Sequence, residues 1–476
     1  MNVTVIPRLT GNADEQQSEH PTITAFNPVA SYSWLDASIP TILVPGYCPI
    51  WSPPTDPKPI PPDTGFLYVD QNADRYPKSP ISSLFAAVRG VQPTYPFSSV
   101  DVISDRSPLR KLYAFAAGDA NLKEFRFGVS VFGEGVKGVK GGEKQGEEKQ
   151  GEEKQPEEEP GEEKQADEKQ ADEKQADEKQ ADEKQAKEKK TTVVFHRMEK
   201  MTREEYQAGH FHGYRAGFEA QYLPLDEMAK GSSSHYRISE YDFGGLKFLT
   251  RSGVDGSIPT PASTNNKNLK AEDSDLDTTI TKLKIEYDED PGKGKSTSMI
   301  HEPALEDADG SLSIIPTANG MAEHSTMLEF ITRSENVKFP FDIATKMPDL
   351  YFSQTPHFVE AYHHNPAGWR YRAPHTLTSM FALADLRVRD MQAEFKKWEK
   401  RNGEVLGRYL AVVKQILDVV KGRGEEIGVW EVSYAREGSG LEVKEVVEGE
   451  GVVMRKEVGK FFGGEDEVEL AGFVKG

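Results

Sequence analysis

Three acidic side chains stand in otherwise apolar text: Glu219 in GYRAGFEAQYL, Asp255 in FLTRSGVDG and Glu329 in TMLEFITRS. Unpaired charge is costly inside apolar segments, so acids in such places call for a partner. Carboxylates contributed by a helix, a strand end and a second strand could share one divalent ion. Hard cations of this kind take oxygen ligands and keep positions open for water and phosphate. Arg106, in VISDRSPLRKL, falls where a strand gives way to a helix. Its planar fork suits a phosphate or a carboxylate, although on its own a solvated loop charge is the better reading.

Other constellations are weaker. His210-Phe211-His212 and His363-His364 have no cysteine partners, and adjacent histidines on a strand point to opposite faces, so polar packing is the better reading than zinc. Asp273, Asp275 and Asp277 lack the glycine and terminal glutamate of an EF-hand loop. Gly209, Gly213 and Gly217 recur every four residues without a following Gly-Lys-Ser/Thr, which favours close backbone packing over a phosphate cradle.

The elements that must position the three acids are legible in outline. Gly244-Gly245 joins two alternating runs, Tyr236–Phe243 and Leu246–Val254, and predicts a tight hairpin that ends near Asp255. Tyr214, Phe218 and Tyr222 recur at helical spacing beside Glu219, and Thr202 with Glu205 reads as a capping box upstream. Strands are predicted at GFLYVD, VDVIS, KEFRFGVSV, TTVVFHRM, MLEFITRS, HFVEAYHH and GVWEVSYA, and helices at SSLFAAVRGV, from about Pro108, and at KMPDLYFS. Leu406, Leu410, Val413, Ile416, Leu417 and Val420 mark an amphipathic helix that covers a sheet.

Composition bounds the rest. With 29% charged and 36% hydrophobic residues in 476, part of the chain has no core to join. From Gly141 to Lys190 runs a pentad repeat of GEEKQ and ADEKQ types, with 19 acidic and 11 basic residues and no apolar face. It is expected to be disordered or a fraying helix. Outside it the chain is still net acidic, which does not favour broad attachment to a nucleic-acid backbone. The single cysteine, Cys48, excludes an intrachain disulfide. Without a secretion-type N-terminus or a membrane-length apolar run, the reading is an intracellular protein, cytoplasmic or nuclear. The expected organisation is a flexible 1–35, a domain over 36–134 and 191–435 with a charged insertion at 135–190, an irregular one at 257–325, and a Gly/Glu/Val-rich tail at 436–476. Both insertions are expected to be disordered.

GYRAGFEAQ, YDFGGLKFLTRSGVD, MLEFITRS and LYFSQTPHFVEAYH resemble a family of fungal proteins and, beyond it, the decapping and NAD-cap-removing RNA exonucleases of the PD-(D/E)XK superfamily. The resemblance spans roughly 99–434 through short motifs. It implies an α/β fold with a mixed central β-sheet flanked by helices. It also implies Glu219, Asp255 and Glu329 as ligands of Mg²⁺ or Mn²⁺, with Gln354 and Arg106 positioning phosphate or supporting the acids. A metal so held would lower the pKa of water and stabilise charge on a phosphorane-like transition state. Two positions depart from the pattern. Ile331 stands where the family has its water-orienting lysine, and Gly253 where it has a further acid. Arg333 shares a strand face with Glu329, and Lys247 or Arg251 could reach in from the hairpin, yet an arginine stays charged and cannot serve as a base.

These departures make a divergent member, inactive rather than catalytic, that binds nucleic acid or a phosphate-containing ligand the leading expectation. The alternative is a Mg/Mn-dependent phosphodiester or pyrophosphate hydrolase acting on RNA 5′ ends. A third is a scaffold that recruits a protein partner through the 141–190 repeat. Prenyl diphosphate synthesis, a label such sequences sometimes carry, needs paired Asp-rich motifs on an all-helical fold, and neither is present.

Overall fold

In the computed structural model, the residues described are 3–9, 20–54, 60, 62–133, 191–206, 212–225, 229–259, 312–318, 320–335, 341–364, 382–422, 428–436, 440–446 and 450–462. The pentad repeat and most of the second expected insertion lie outside them. The chain opens with β1 (Val3–Pro7), β2 (Ile23–Leu35), β3 (Thr41–Val44), β4 (Phe66–Tyr68), α1 (Gln71–Arg75) and α2 (Ser82–Val91). It continues through β5 (Val102–Asp105), α3 (Arg106–Ala117), β6 (Phe125–Gly133), β7 (Thr191–Met198), β8 (Arg203–Glu205) and α4 (Arg215–Tyr222). Then come β9 (Ser232–Phe243), β10 (Leu246–Val254), β11 (Gly256–Ser257), β12 (Ser313–Pro316), β13 (Met327–Ser334) and α5 (Met347–Ser353). Last are β14 (His357–His364), β15 (Ala382–Asp390), α6 (Gln392–Lys421), β16 (Val429–Tyr434), β17 (Gly440–Val446) and α7 (Glu450–Gly459).

The fold is a mixed α/β architecture around a large central sheet. Eleven strands run in the order β1-β17-β16-β6-β7-β5-β10-β9-β2-β3-β12. Most neighbours are antiparallel; β5 lies parallel to both β7 and β10, and β12 parallel to β3. The Gly-Gly turn forms as predicted, with φ of 58° at Gly244 and 82° at Gly245, the left-handed pair that a two-residue hairpin needs. A second sheet, β11-β13-β14-β15, receives the chain directly after β10. A short β4–β8 ribbon completes the strands described.

The two faces of the main sheet carry different helices. Leu112, Phe352, Tyr409 and Val413 from α3, α5 and α6 pack over Phe127, Phe195 and Phe248 on one side. Leu84, Phe85 and Val88 of α2 pack on Val194, Ile238 and Leu249 on the other. Phe218 and Tyr222 of α4 seat on Leu328 and Phe330 of the second sheet. Each of these five helices therefore buries one apolar stripe against a pleated face, as amphipathic periodicity dictates.

Four expectations are corrected. Residues 1–35, read as flexible, supply β1 and the thirteen-residue β2, which sits between β9 and β3. The capping box at Thr202 does not start a helix: Arg203–Glu205 pairs with β4, and α4 begins at Arg215. The 257–325 segment is not irregular throughout, since Ser313–Pro316 adds an edge strand to the main sheet. The 436–476 tail is not separate from the domain, because its Gly440–Val446 pairs with both β16 and β1.

Candidate functional site

The site forms where the chain passes from one sheet to the other. β10 ends at Val254, Asp255 bridges, and Gly256 already pairs with Leu328 of β13. Gly256 is required there: a Cβ would lie 2.3 Å from Leu223 Cδ2 and 2.9 Å from the Pro49 carbonyl oxygen. Asp255 is fixed from two sides. Its Oδ2 accepts the Phe330 N–H at 2.9 Å, and its Oδ1 accepts from Arg215 Nη2 at 2.6 Å.

Arg215, the first residue of α4, is the cation at the centre. Its Nη1 donates to the Phe330 carbonyl at 3.1 Å, and its guanidinium lies 4.4 Å from the centroid of the Phe330 ring. The field of Asp255, with lesser contributions from Glu219 and Glu329, holds its pKa up against the cost of burial. All three acids singled out in the sequence therefore act on one arginine.

Glu219, one turn along α4, is half-buried, and its carboxyl is pushed up to about 7. Burial is the main cause; the charges of Asp255 and Asp63 add to it, and Arg215 opposes. Asp63 was not anticipated. Its two oxygens accept the backbone N–H groups of Arg215 (2.7 Å) and Ala216 (2.9 Å), so it caps α4 from 152 residues upstream. Gly213, at φ 122°, returns its carbonyl to the Asp63 N–H at 2.8 Å.

Glu329 in β13 is 5% exposed and is paired with Arg106. Arg106 Nη1 also donates to Ser353 Oγ (3.3 Å) and to the Asp349 carbonyl (3.4 Å). Burial presses its pKa down, but Glu329 and Asp349 outweigh that and raise it. Asp349 gathers two further cations, Arg110 at 3.1 Å and Lys346 at 3.9 Å. Ser353 and Asp349, both missed in the sequence, could have been found only from their place on a helix that faces α3.

The remaining predicted residues are placed differently. Gln354 ends α5 in a left-handed conformation, and its amide turns back to donate to the Tyr351 carbonyl at 2.8 Å. Arg333 lies over Phe341, 5.3 Å from the ring centroid. Ile331 is partly buried against the main core. Arg251 does not reach the acids: on the α2 side of the sheet it donates to both Asp105 oxygens, at 2.6 and 2.8 Å, and to Ser83. Lys247 pairs with Glu240 at 3.3 Å. Gly253 has room, a Cβ there meeting only Tyr236 Cε1 at 3.9 Å. Of the histidines, His212 stacks on Tyr206 and His363 meets Tyr214 edge-on, while His210 and Phe211 lie outside the described residues, as do Asp273, Asp275 and Asp277.

A divalent ion needs several carboxylate oxygens turned toward one point. Here Glu329 is engaged by Arg106, Asp255 by Arg215 and the Phe330 N–H, and Glu219 lies half-buried beside them. Among the described residues no three His, Cys, Asp or Glu side chains converge as a metal-binding group. As arranged, the donor set holds arginines rather than a metal.

The sequence model of a family described as a domain of unknown function, DUF8563, matches residues 4–137 and 185–461. The chain belongs to this family. No curated protein matches the DUF8563 chain. Among solved structures it is similar to Schizosaccharomyces pombe Rai1, at 10% identity and a TM-score of 0.45, covering 94% of this chain and 100% of that one. Candida albicans Rai1 in complex with pU5 and Mn²⁺ is similar at 10% identity and a TM-score of 0.42, with 97% of each chain covered. Kluyveromyces lactis Dxo1 in complex with manganese is similar at 10% identity and a TM-score of 0.42, covering 94% and 98%. No described helix is long and apolar enough to cross a membrane.

Proposed function

We propose that this DUF8563 protein is a non-hydrolytic binder of phosphate-containing ligands, RNA 5′ ends foremost, and that Arg106 and Arg215 supply the positive charge that a metal supplies in an active nuclease. The observation that carries this reading is the pairing of Arg106 with Glu329 and of Arg215 with Asp255. A guanidinium is charged at every physiological pH and presents a planar fork matched to phosphate oxygens. Arg215 keeps an outward edge: its side chain is 41% exposed, and among the described residues its Nε donates to no acceptor. Arg110 and Lys346, 44% and 34% exposed, extend the cationic rim past Asp349. Hydrolysis has little support from these residues, because an arginine can hold a phosphate but cannot activate water as a base.

The test is fluorescence anisotropy with 5′-phosphorylated pentauridylate, in EDTA and in Mn²⁺. Equal affinity in both, no cleavage products, and a loss of at least about tenfold in Arg215→Ala, some 1.4 kcal/mol, is the expected result. Manganese-dependent cleavage abolished by Glu329→Gln would establish the metal-dependent hydrolase instead. An absence of binding would leave the scaffold reading, in which the charged repeat meets a protein partner.

A further inference from the structure

A further arginine, unlike Arg106 and Arg215, is buried without a counter-charge. Arg237 on β9 is 2% exposed. Its fork reaches only soft or neutral acceptors, Met327 Sδ at 3.1 Å through Nη1 and the Ala322 carbonyl at 2.5 Å through Nη2. Its Nε has no partner, and no carboxylate among the described residues pairs with it. A guanidinium offers five N–H donors, and two contacts leave most of them idle.

The surroundings are polar and equally unfinished. His235 shares the Arg237 face of β9, two residues away, and its Nε2 lacks a partner. His324 is held between the two segments that Arg237 touches, gives Nε2 to the Gln354 carbonyl at 2.7 Å and leaves Nδ1 bare. Ser252 and Ser31 flank Arg237 on the neighbouring strands, both buried and both small. None of these groups offers negative charge. Burial and the nearby arginine push His235 down to about 3 and His324 to about 4, so both are neutral at pH 7. Burial pushes the Cys48 thiol up to about 12, so no thiolate balances the cation. Arg237 itself is lowered only to about 10 and stays charged.

Buried charges in folded proteins are paired, and leaving one unpaired is destabilising. We propose that Arg237, walled by His235, His324, Ser31 and Ser252, is a buried oxyanion site that takes a phosphate, as the free ion or as a group of a larger ligand. The idle N–H groups of the Arg237 fork and the two serine hydroxyls can donate to the oxygens of a tetrahedral anion, and the bare Nδ1 of neutral His324, an acceptor, can take the P–OH of hydrogen phosphate, which a halide lacks. The site uses none of the residues of the arginine–carboxylate pairs and does not rest on the function proposed for them.

The experiment is a titration of the full chain with inorganic phosphate, against chloride at equal ionic strength, followed by calorimetry and by Tm. A saturable rise in Tm with phosphate and none with chloride is expected, because a ligand bound only by the folded state stabilises it by mass action. Arg237→Met should lose that response and melt higher than the parent in phosphate-free buffer, since an apolar side chain of similar reach removes an uncompensated charge. Arg126→Ala, at a half-exposed arginine of β6 that belongs to neither site, should keep the response. No phosphate effect on the parent would overturn the site, as ordered water then suffices for the open polar atoms. A response kept in Arg237→Met and lost in Arg215→Ala would overturn it too, by assigning the anion to the other arginines. Should Arg237→Met fail to fold, the parent titration still decides against the site if it shows no saturable phosphate effect, and Arg237→Lys, which keeps the charge but not the fork, should bind at least tenfold more weakly. Titration with 5′-AMP before and after saturation with inorganic phosphate separates the sources: heat lost on pre-saturation marks a nucleotide phosphate, and heat unchanged marks the free ion.

Discussion

Glu219 sits in the field of Asp255 and Asp63 with Arg215 as the one counterweight, and its carboxyl titrates at about 7 instead of the usual 4.5. A folded-state pKa above the unfolded value means that the folded chain holds its proton longer. Stability from this group is therefore present below about 4.5 and is lost as pH rises through about 7. Glu219→Gln is expected to match the parent near pH 5 and to exceed it at pH 8 by ~1 kcal/mol, less than the shift alone implies because the half-buried group is screened by solvent. Thermal melts of both proteins across pH 5–8 check this, and a gap that does not change with pH would contradict it. The three acids could be picked out in the sequence because each interrupts an apolar pattern. Arg215 and Asp63 could not. Arg215 stands four residues before Glu219 and looks like an ordinary helix charge, and Asp63 reaches α4 across a separation that no local periodicity encodes.

Arg106 joins three elements that are distant in sequence. It opens α3, ion-pairs with β13 and donates to Ser353 at the end of α5. Removing one partner strands a buried charge, whereas removing both leaves an apolar contact. Arg106→Met is accordingly expected to destabilise by about 3 kcal/mol, and Arg106→Met with Glu329→Leu by less than half of that. Urea unfolding of the two singles and the double measures it; additive losses would show that the pair is not the tie. Elements were legible where local chemistry is decisive. Gly244-Gly245 permits little except a tight turn, and the 3.6-residue stripe of α6 has one apolar face. They were illegible where pairing supplies the stability. β2 holds Asn27 and Pro28 and shifts register against β9 beside them, so its sequence reads as loop. β8 is Arg-Glu-Glu, and only its ladder to β4 makes it a strand.

At the scale of the molecule, the main sheet fixes the point at which the charged repeat is inserted. β6 and β7 are antiparallel neighbours, and Gly133 lies directly opposite Thr191. Residues 134–190 thus leave and re-enter the sheet at a single point, where a short turn would serve the same connection. The entropic cost of closing a loop grows only with the logarithm of its length, about 0.6 kcal/mol per doubling, so replacing 57 residues by four recovers about 2 kcal/mol at most. A chain in which Gly-Asn-Gly-Lys replaces 134–190 is expected to fold with an equal or slightly higher Tm and to bind 5′-phosphorylated pentauridylate as the parent does. Loss of folding would mean that the pentads support the sheet. Intact folding with lost binding would move the ligand from the arginines of α3 and α4 to the repeat, because the excision leaves Arg106, Arg215 and their carboxylates on elements that the turn does not touch.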